Sequence, residues 1–490
     1  MKTAFISVSN KEGLVEVARV LINLDIRLIA SKGTAAFLSE NKIEVLSIED
    51  YLNCSPLLDG RVKTLHPALF SGILADRKNV KHRQELQQIN VEPIDFVIID
   101  LYAFSQYQDM EHIDIGGVAL IRAAAKNYEY CTVVSDANDY PLLIKGLESL
   151  GVETNLEFRK KMAARAFSKI AQYDGEISQW CDGENIKSLQ LQKTIDLSYG
   201  ENPHQAANFY NWRDTCPNIT LLQGKPLSYN NLLDLDAGIR LISEFDTPAA
   251  TIIKHTNPCG VALAQSAKQA VQSAFHADEK SAFGGIVVLN QVVDKETALF
   301  LKSHFFEVIA AVDYTSDARE ILGEKAKCRI LIFMKQHPAM EMRSVLNGFL
   351  MQRSDANFLE IEKAAVPTLK KPDAALYSDL CFAFQVVRHM KSNAIVIVKN
   401  GITLSMGVGQ TNRVDAVHHA LQRVKNYDLQ DAVLASDGFF PFEDSIELIA
   451  QTSIKTILQP GGSRRDHAII ETCNKYQISM MMTGIRGFRH

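Results

Sequence analysis

The chain has 490 residues, a formal net charge of −5, and 47% hydrophobic against 22% charged residues. That length exceeds one ordinary core and predicts two to four domains, with the composition of a soluble globular protein. Mild acidity gives no global reason to expect nucleic-acid binding, and no apolar run approaches the roughly 20 residues that span a membrane.

The N-terminus, Met1 to Ile6, enters a strand directly, with no signal-peptide hydrophobic region. Residues 3–8 alternate as a strand, and Ser9 with Glu12 predicts a capping box. Leu14, Val17, Ala18, Leu21 and Ile22 then fall on one helical face. Ile26 to Ala30 reads as a second strand, ending in Ser31-Lys32-Gly33-Thr34 before another helix. Ile94 to Ile99 reads as a buried strand, followed by a loop and an Ala-rich helix around 117–127. Strands alternating with helices predict a parallel α/β sheet, whose ligands sit beyond the carboxyl ends of its strands. A helix carrying Arg165 to Ile177 closes this part, and the polar stretch 181–196 reads as a linker. The division expected is 1–190 and 191–490. Beyond it, strands over 251–253, 285–289, 394–398, 432–435 and 455–458 alternate with helical patterns, and the sequence itself shows no repeat.

Eight cysteines (54, 131, 181, 216, 259, 328, 381 and 473) are scattered without a CxxC pair, as in a cytoplasmic protein with reduced thiols. No HExxH, Walker-type loop or deaminase-type zinc signature occurs, so zinc and ATP hydrolysis are disfavoured and no metal site is expected. The most informative segment is Ile253-Lys254-His255-Thr256-Asn257-Pro258-Cys259-Gly260, where a hydrophobic run breaks into an Asn-Pro-Cys-Gly turn. On a regular strand, adjacent side chains point to opposite faces. At the irregular end of a strand, both can serve one ligand. His255 then offers a base near neutral pH, and Lys254 a charged donor to an oxyanion. The blander alternative is a core strand ending in a turn, with Lys254 reaching for water.

That segment is one of ten in a fixed order. The others are Ser7-Val8-Ser9-Asn10-Lys11, Gly60 to Pro67, Ile113-Asp114-Ile115-Gly116-Gly117, Arg122 to Asn127, Tyr199 to Gln205, Ser281 to Gly285, Lys391 to Ala394, Ser436 to Phe442, and Arg486 to His490. Together they resemble the bifunctional AICAR transformylase/IMP cyclohydrolase family of purine synthesis, from the first strand to the last residue. The resemblance implies an N-terminal methylglyoxal-synthase-like doubly wound parallel sheet and a C-terminal transformylase domain of two cytidine-deaminase-like α/β subdomains. It implies formyl transfer from 10-formyltetrahydrofolate to AICAR, then dehydrative closure to IMP, in a cytoplasmic homodimer. Its ligands are a small nucleotide and a folate, with no zinc, nucleic acid or membrane, and with potassium left open.

In the first domain the resemblance implies catalysis by Lys63, Tyr102, Asp114 and Lys126. The lysines and Tyr102 would stabilise charge on the formyl oxygen, and Asp114 would orient the attacking amide. Ser9, Lys11, Ser31, Gly33, Thr34, Arg61 and Thr64 would bind substrate, supplying hydroxyls, backbone donors and charge at neighbouring strand ends. Asp114 has an equally good role as a helix cap. In the second domain the resemblance implies Lys254, His255 and Asn393 as catalytic residues. Tyr199, Gly284, Glu307 and Arg413 would hold the nucleotide, and Phe439, Asp444, Ser463 and Arg486 the folate. The sequence departs from the family pattern at Lys32, Asp100, Ala103 and Ser198, where glycine, asparagine, proline and arginine are usual, and at Ala311-Val312, where Ala-Pro is usual. A narrower reading keeps only the cyclohydrolase, with formyl transfer weakened at Ser198. Another makes the chain a non-catalytic nucleotide binder, against which the retained Lys63, Lys126, Lys254 and His255 argue.

Overall fold

A computed structural model describes residues 1–54, 57, 58, 62–183, 185–212, 215, 217–335, 339–355, 359–424 and 427–490. Arg61 and Cys216 lie outside the described residues. The chain divides into two compact units, Met1–Leu191 and Gln192–His490.

The first unit is built on five parallel strands: β1 (Lys2–Ser7), β2 (Ile26–Ala30), β3 (Leu46–Ser47), β4 (Phe96–Ile99) and β5 (Thr132–Val134), in the order β3-β2-β1-β4-β5. The hydrophobic runs are continuous because both faces are covered. Phe5, Ile29, Val97 and Val133 pack into a core on one face. Ala4, Ile6, Leu28, Ile98 and Val134 pack into a core on the other. Strand order reverses between β1 and β4, so the carboxyl ends of these two strands flank the crevice where such sheets take ligands.

The predicted Ser9–Glu12 capping box does not form. The helix Leu14–Asn23 starts instead from Gly13, in a left-handed conformation. The stretch read as a linker contains the end of a 27-residue helix, Leu156–Asp182, and the whole of β6 (Leu191–Asp196), which pairs with β7 (Asn208–Trp212) in a separate ribbon.

Eleven strands of the second unit form one sheet. They are β8 (Ile219–Gln223), β9 (Ala249–Lys254), β10 (Asn257–Leu263), β11 (Ile286–Val293), β12 (Val308–Tyr314), β13 (Arg329–Phe333), β16 (Ile395–Lys399), β17 (Ile402–Gly407), β18 (Val433–Ser436), β19 (Thr456–Gln459) and β20 (Ser479–Met482). The intervening β14 (Met340–Val345) and β15 (Gly348–Arg353) make an antiparallel hairpin of their own. The order is β20-β19-β18-β16-β17-β10-β9-β11-β12-β13-β8. Each half is an antiparallel hairpin followed by three parallel strands. β9–β10 leads to β11, β12 and β13, and β16–β17 leads to β18, β19 and β20. The halves join where β10 meets β17 antiparallel.

The repeat also reaches the chain itself. Asp234 to Lys254 and Asp379 to Lys399 are equally spaced, and Leu235, Ile252 and Ile253 correspond to Leu380, Ile397 and Val398. On one face a single core spans both halves, from Leu331 and Val288 to Val396, Val433 and Leu458. On the other face each half has its own core.

Candidate active site

In the first unit most of the candidate residues lie near the carboxyl ends of β1, β2 and β4. Beyond β1 and β2, Lys11 Nζ donates to Thr34 Oγ1 at 3.0 Å and to the Val8 carbonyl, and Ser31 Oγ donates to Thr34 Oγ1 at 3.3 Å. Ser31 caps the helix Lys32–Glu40, whose first turn holds Gly33 with open space above it. Burial lowers the Lys11 pKa, and Asp100 pulls it back up. Beyond β4, Asp100 reaches the β1 loop. It accepts from the Ser9 and Asn10 amides at 2.5 and 2.7 Å and from Ser9 Oγ at 3.0 Å. Its charge is thus held by the β1 loop.

Lys63 Nζ stands 3.4 Å from Tyr102 Oη. Asp114 lies within the field of Lys63, and one carboxylate oxygen accepts from the Gly117 amide at 2.6 Å. Its amide donates to Tyr173 Oη at 2.7 Å. Burial pushes the Asp114 carboxyl upward, while the Gly117 hydrogen bond and Lys63 oppose this. The helix Gly116–Lys126 opens on two glycines for separate reasons. A Cβ on Gly116 would lie 2.3 Å from Thr64 Oγ1, and one on Gly117 would lie 2.6 Å from the Asp114 carboxylate. Lys126 ends the same 11-residue helix, about 15 Å along its axis from Gly116, and is exposed there.

In the second unit, the turn expected at Asn-Pro-Cys-Gly lies earlier. Lys254 ends β9, His255 and Thr256 form a two-residue turn at φ of 53° and 63°, and Asn257 already begins β10. A bulge between Pro258 and Gly260 accommodates the proline. Two left-handed residues in a two-residue loop mark a type I′ turn, which favours Asn-Gly. The second half uses Asn400 and Gly401 at its own hairpin, at φ of 55° and 69°. The β-branched threonine costs of order 1–3 kcal/mol in that conformation, and histidine less. Sequence reading missed the residue that holds them there. Asp234, on the helix Tyr229–Ser243, accepts from the Thr256 amide at 2.5 Å.

Lys254 Nζ donates to the Phe283 carbonyl at 2.6 Å, which leaves two of its three protons for a ligand. The His255 side chain is exposed. Asn257 Oδ1 accepts from the Lys391 amide at 3.0 Å and so ties this hairpin to the segment carrying Asn393. Asn393 Oδ1 accepts from Arg413 at 2.8 Å, and its Nδ2 donates to the Gln410 carbonyl at 2.8 Å. Arg413, expected to hold the nucleotide, is only 5% exposed and also pairs with Asp437. Glu307 accepts from Asn231 Nδ2 at 3.3 Å. Gly284 takes φ 68°, and its amide donates to the Phe305 carbonyl at 2.9 Å. Tyr199 borders a loop closed on itself by Asn202 and Gln205, and Ser198 Oγ donates to the Leu227 carbonyl at 3.4 Å. Phe440 is core, whereas Phe439 is 39% exposed. Asp444 starts the helix Asp444–Ala450, Ser463 Oγ accepts from the Arg465 amide at 3.1 Å, and Arg486 stacks on Phe488 at 4.6 Å.

Strand directions place these positions along one edge. β9 ends there in Lys254, β11, β12 and β16 start there after Gly284, Glu307 and Asn393, and β17 ends there before Arg413. β18, β19 and β20 end there before Phe439, Ser463 and Arg486. The Asn400–Gly401 turn is at the opposite edge. Among the described residues, no group of three or more His, Cys, Asp or Glu could hold a metal ion, and no helix is long and apolar enough to cross a membrane.

Comparison with known proteins gives two family matches: the AICARFT/IMPCHase bienzyme over residues 124–423 and an MGS-like domain over residues 13–129. The chain is 43% identical over 514 residues to the bifunctional purine biosynthesis protein PurH of Caldicellulosiruptor saccharolyticus. It is 42% identical to the proteins of the same description from Anoxybacillus flavithermus and Persephonella marina, over 513 and 516 residues. In each case the match covers 100% of both chains.

Proposed function

The chain belongs to the AICARFT/IMPCHase bienzyme family, enzymes of the last two steps of IMP synthesis with a folate-type formyl donor, and we propose how its residues divide that work. Formyl transfer takes place in the second unit and ring closure in the first. The observation that supports this most is the single edge of the eleven-stranded sheet, where the Lys254–His255 hairpin meets Asn393 and the loops after β18, β19 and β20.

With 10-formyltetrahydrofolate as donor, the AICAR amine attacks the formyl carbon and His255 takes the amine proton. Lys254, anchored by one hydrogen bond, turns its remaining donors to the tetrahedral oxyanion, and the C–N bond to the folate then breaks as the proton held by His255 passes to the leaving folate nitrogen. Asn393 orients the carboxamide, and Arg413 acts behind it as a positioning residue. Tyr199, Gly284 and Glu307 border the nucleotide. Phe439, Asp444, Ser463 and Arg486 border the folate. Arg61 retains its expected part in substrate binding in the first unit.

There the carboxamide nitrogen attacks the formyl carbon, and water leaves. Lys63 and Tyr102 stabilise the formyl oxygen, and Asp114 orients the amide. Ser9, Lys11, Ser31, Gly33, Thr34 and Thr64 form the substrate rim, with the Lys32–Glu40 helix start suited to a phosphate. Lys126, a helix length from Asp114, acts on a separate part of the bound nucleotide. The working protein is a cytoplasmic homodimer.

Two substitutions test the division. His255→Ala should lower formyl transfer by about 100- to 10,000-fold while supplied formyl-AICAR still closes to IMP. Lys63→Ala should do the reverse, with formyl-AICAR accumulating. Equal loss of both activities in either folded variant would refute the assignment.

A further inference from the structure

We infer that Asp234 is a positioning residue for formyl transfer, holding His255 and Thr256 in the left-handed turn that aims the histidine at the substrate. The inference rests on the assignment of His255 as the proton acceptor. Asp234 sits on the helix Tyr229–Ser243, and Oδ1 accepts the Thr256 amide at 2.5 Å. The same helix reaches the site a second time, through Asn231 to Glu307, so its register sets two groups at once.

The internal repeat supplies an independent comparison. Asp379 lies as far before Lys399 as Asp234 lies before Lys254, and its carboxylate accepts both turn amides, Asn400 at 2.6 Å and Gly401 at 2.7 Å. One clamp therefore serves two hairpins of opposite need. At the far edge it holds an Asn-Gly turn, which takes left-handed φ readily. At the site edge it holds His-Thr, whose β-branched threonine does not. The two hairpins thus share a clamp but differ in the turn residues it holds.

The test compares formyl transfer and ring closure in full-length Asp234→Ala, Asp234→Glu, Thr256→Gly, Asp234→Ala/Thr256→Gly, Asp379→Ala and His255→Ala. Misplacement of a catalytic group by about an ångström costs about 100-fold. Asp234→Ala should therefore lose about 100-fold in kcat for transfer, with the KM for AICAR within about three-fold and ring closure unchanged. Glycine accepts the turn without help, so the double variant should regain at least about ten-fold. Asp379→Ala should lower thermal stability and leave the transfer kcat unchanged. Should Asp234→Ala not fold, Asp234→Glu, whose longer side chain displaces the carboxylate, gives the same reading. Wild-type kcat in Asp234→Glu or Asp234→Ala, or no gain from Thr256→Gly, overturns the inference while His255→Ala remains inactive. An active His255→Ala would instead overturn the assignment of the base.

Discussion

At the end of β4, the Asp100 carboxylate receives two backbone amides and one hydroxyl from the β1 loop. An asparagine, usual in the family pattern, has one acceptor oxygen, and its NH2 group would face the Asn10 N–H. Asp100→Asn should therefore cost about 1 kcal/mol, read as a lower denaturation midpoint of the first unit. Unchanged stability would mean that water satisfies those amides equally well. A second residue-scale balance lies at His389. Arg489 can only donate, so His389 Nδ1, 3.2 Å away, must accept, and Nε2–H points to Glu244 at 3.1 Å. Burial, assisted by Arg489 and Arg388 and opposed by Glu244, holds the ring below its ordinary pKa of about 6.5. The unfolded chain then binds a proton that the folded chain refuses, so stability is full above that value and declines as pH falls through it. His389→Gln keeps an acceptor for Arg489 and a donor for Glu244. It should unfold in urea with a shallower loss of stability between pH 7 and 5.5, and an equal slope would place the acid sensitivity elsewhere.

The start of the helix Gly116–Lys126 shows how an element is shaped by what it must admit. Thr64 and the Asp114 carboxylate occupy the space where ordinary side chains at 116 and 117 would stand. Gly116→Ala must displace Thr64, at about 1–3 kcal/mol for overpacking, and should raise the KM for formyl-AICAR more than it changes formyl transfer. A wild-type KM would show that Thr64 is packing alone. Periodicity located the long elements well: β4 was expected at 94–99 and spans 96–99, and the Ala-rich helix was expected at 117–127 and spans 116–126. The failures have local causes. Ser9 does not cap because the helix begins only after Gly13, whose left-handed conformation starts it. The hairpin turn at His255–Thr256 was hidden because neither residue is a turn former. Its clamp comes from another helix. Pro258 and Gly260 suggested a turn but serve a bulge.

On the scale of the whole chain, most candidate residues were legible as short segments, but their roles depended on contacts that no segment contains. Arg413 read as a ligand and is buried behind Asn393. Lys126 shares a helix with Gly116 and stands at its far end. The repeat escaped notice because the halves share an aspartate, a lysine and a few core positions rather than a motif, while the turn residues diverged. The division into Met1–Leu191 and Gln192–His490 carries the last prediction. The first unit has a complete five-stranded sheet with a core on each face and every proposed ring-closing residue. Residues 1–190 alone should therefore fold cooperatively and close supplied formyl-AICAR. At about 0.7 kcal/mol per residue, calorimetry near 60 °C should find an unfolding enthalpy of about 130 kcal/mol that agrees with the van't Hoff value. A much smaller or non-cooperative transition would show that this core needs residues beyond 190 to close. A cooperative but inactive fragment would instead mean that ring closure draws a group from the second unit or from another copy of the chain.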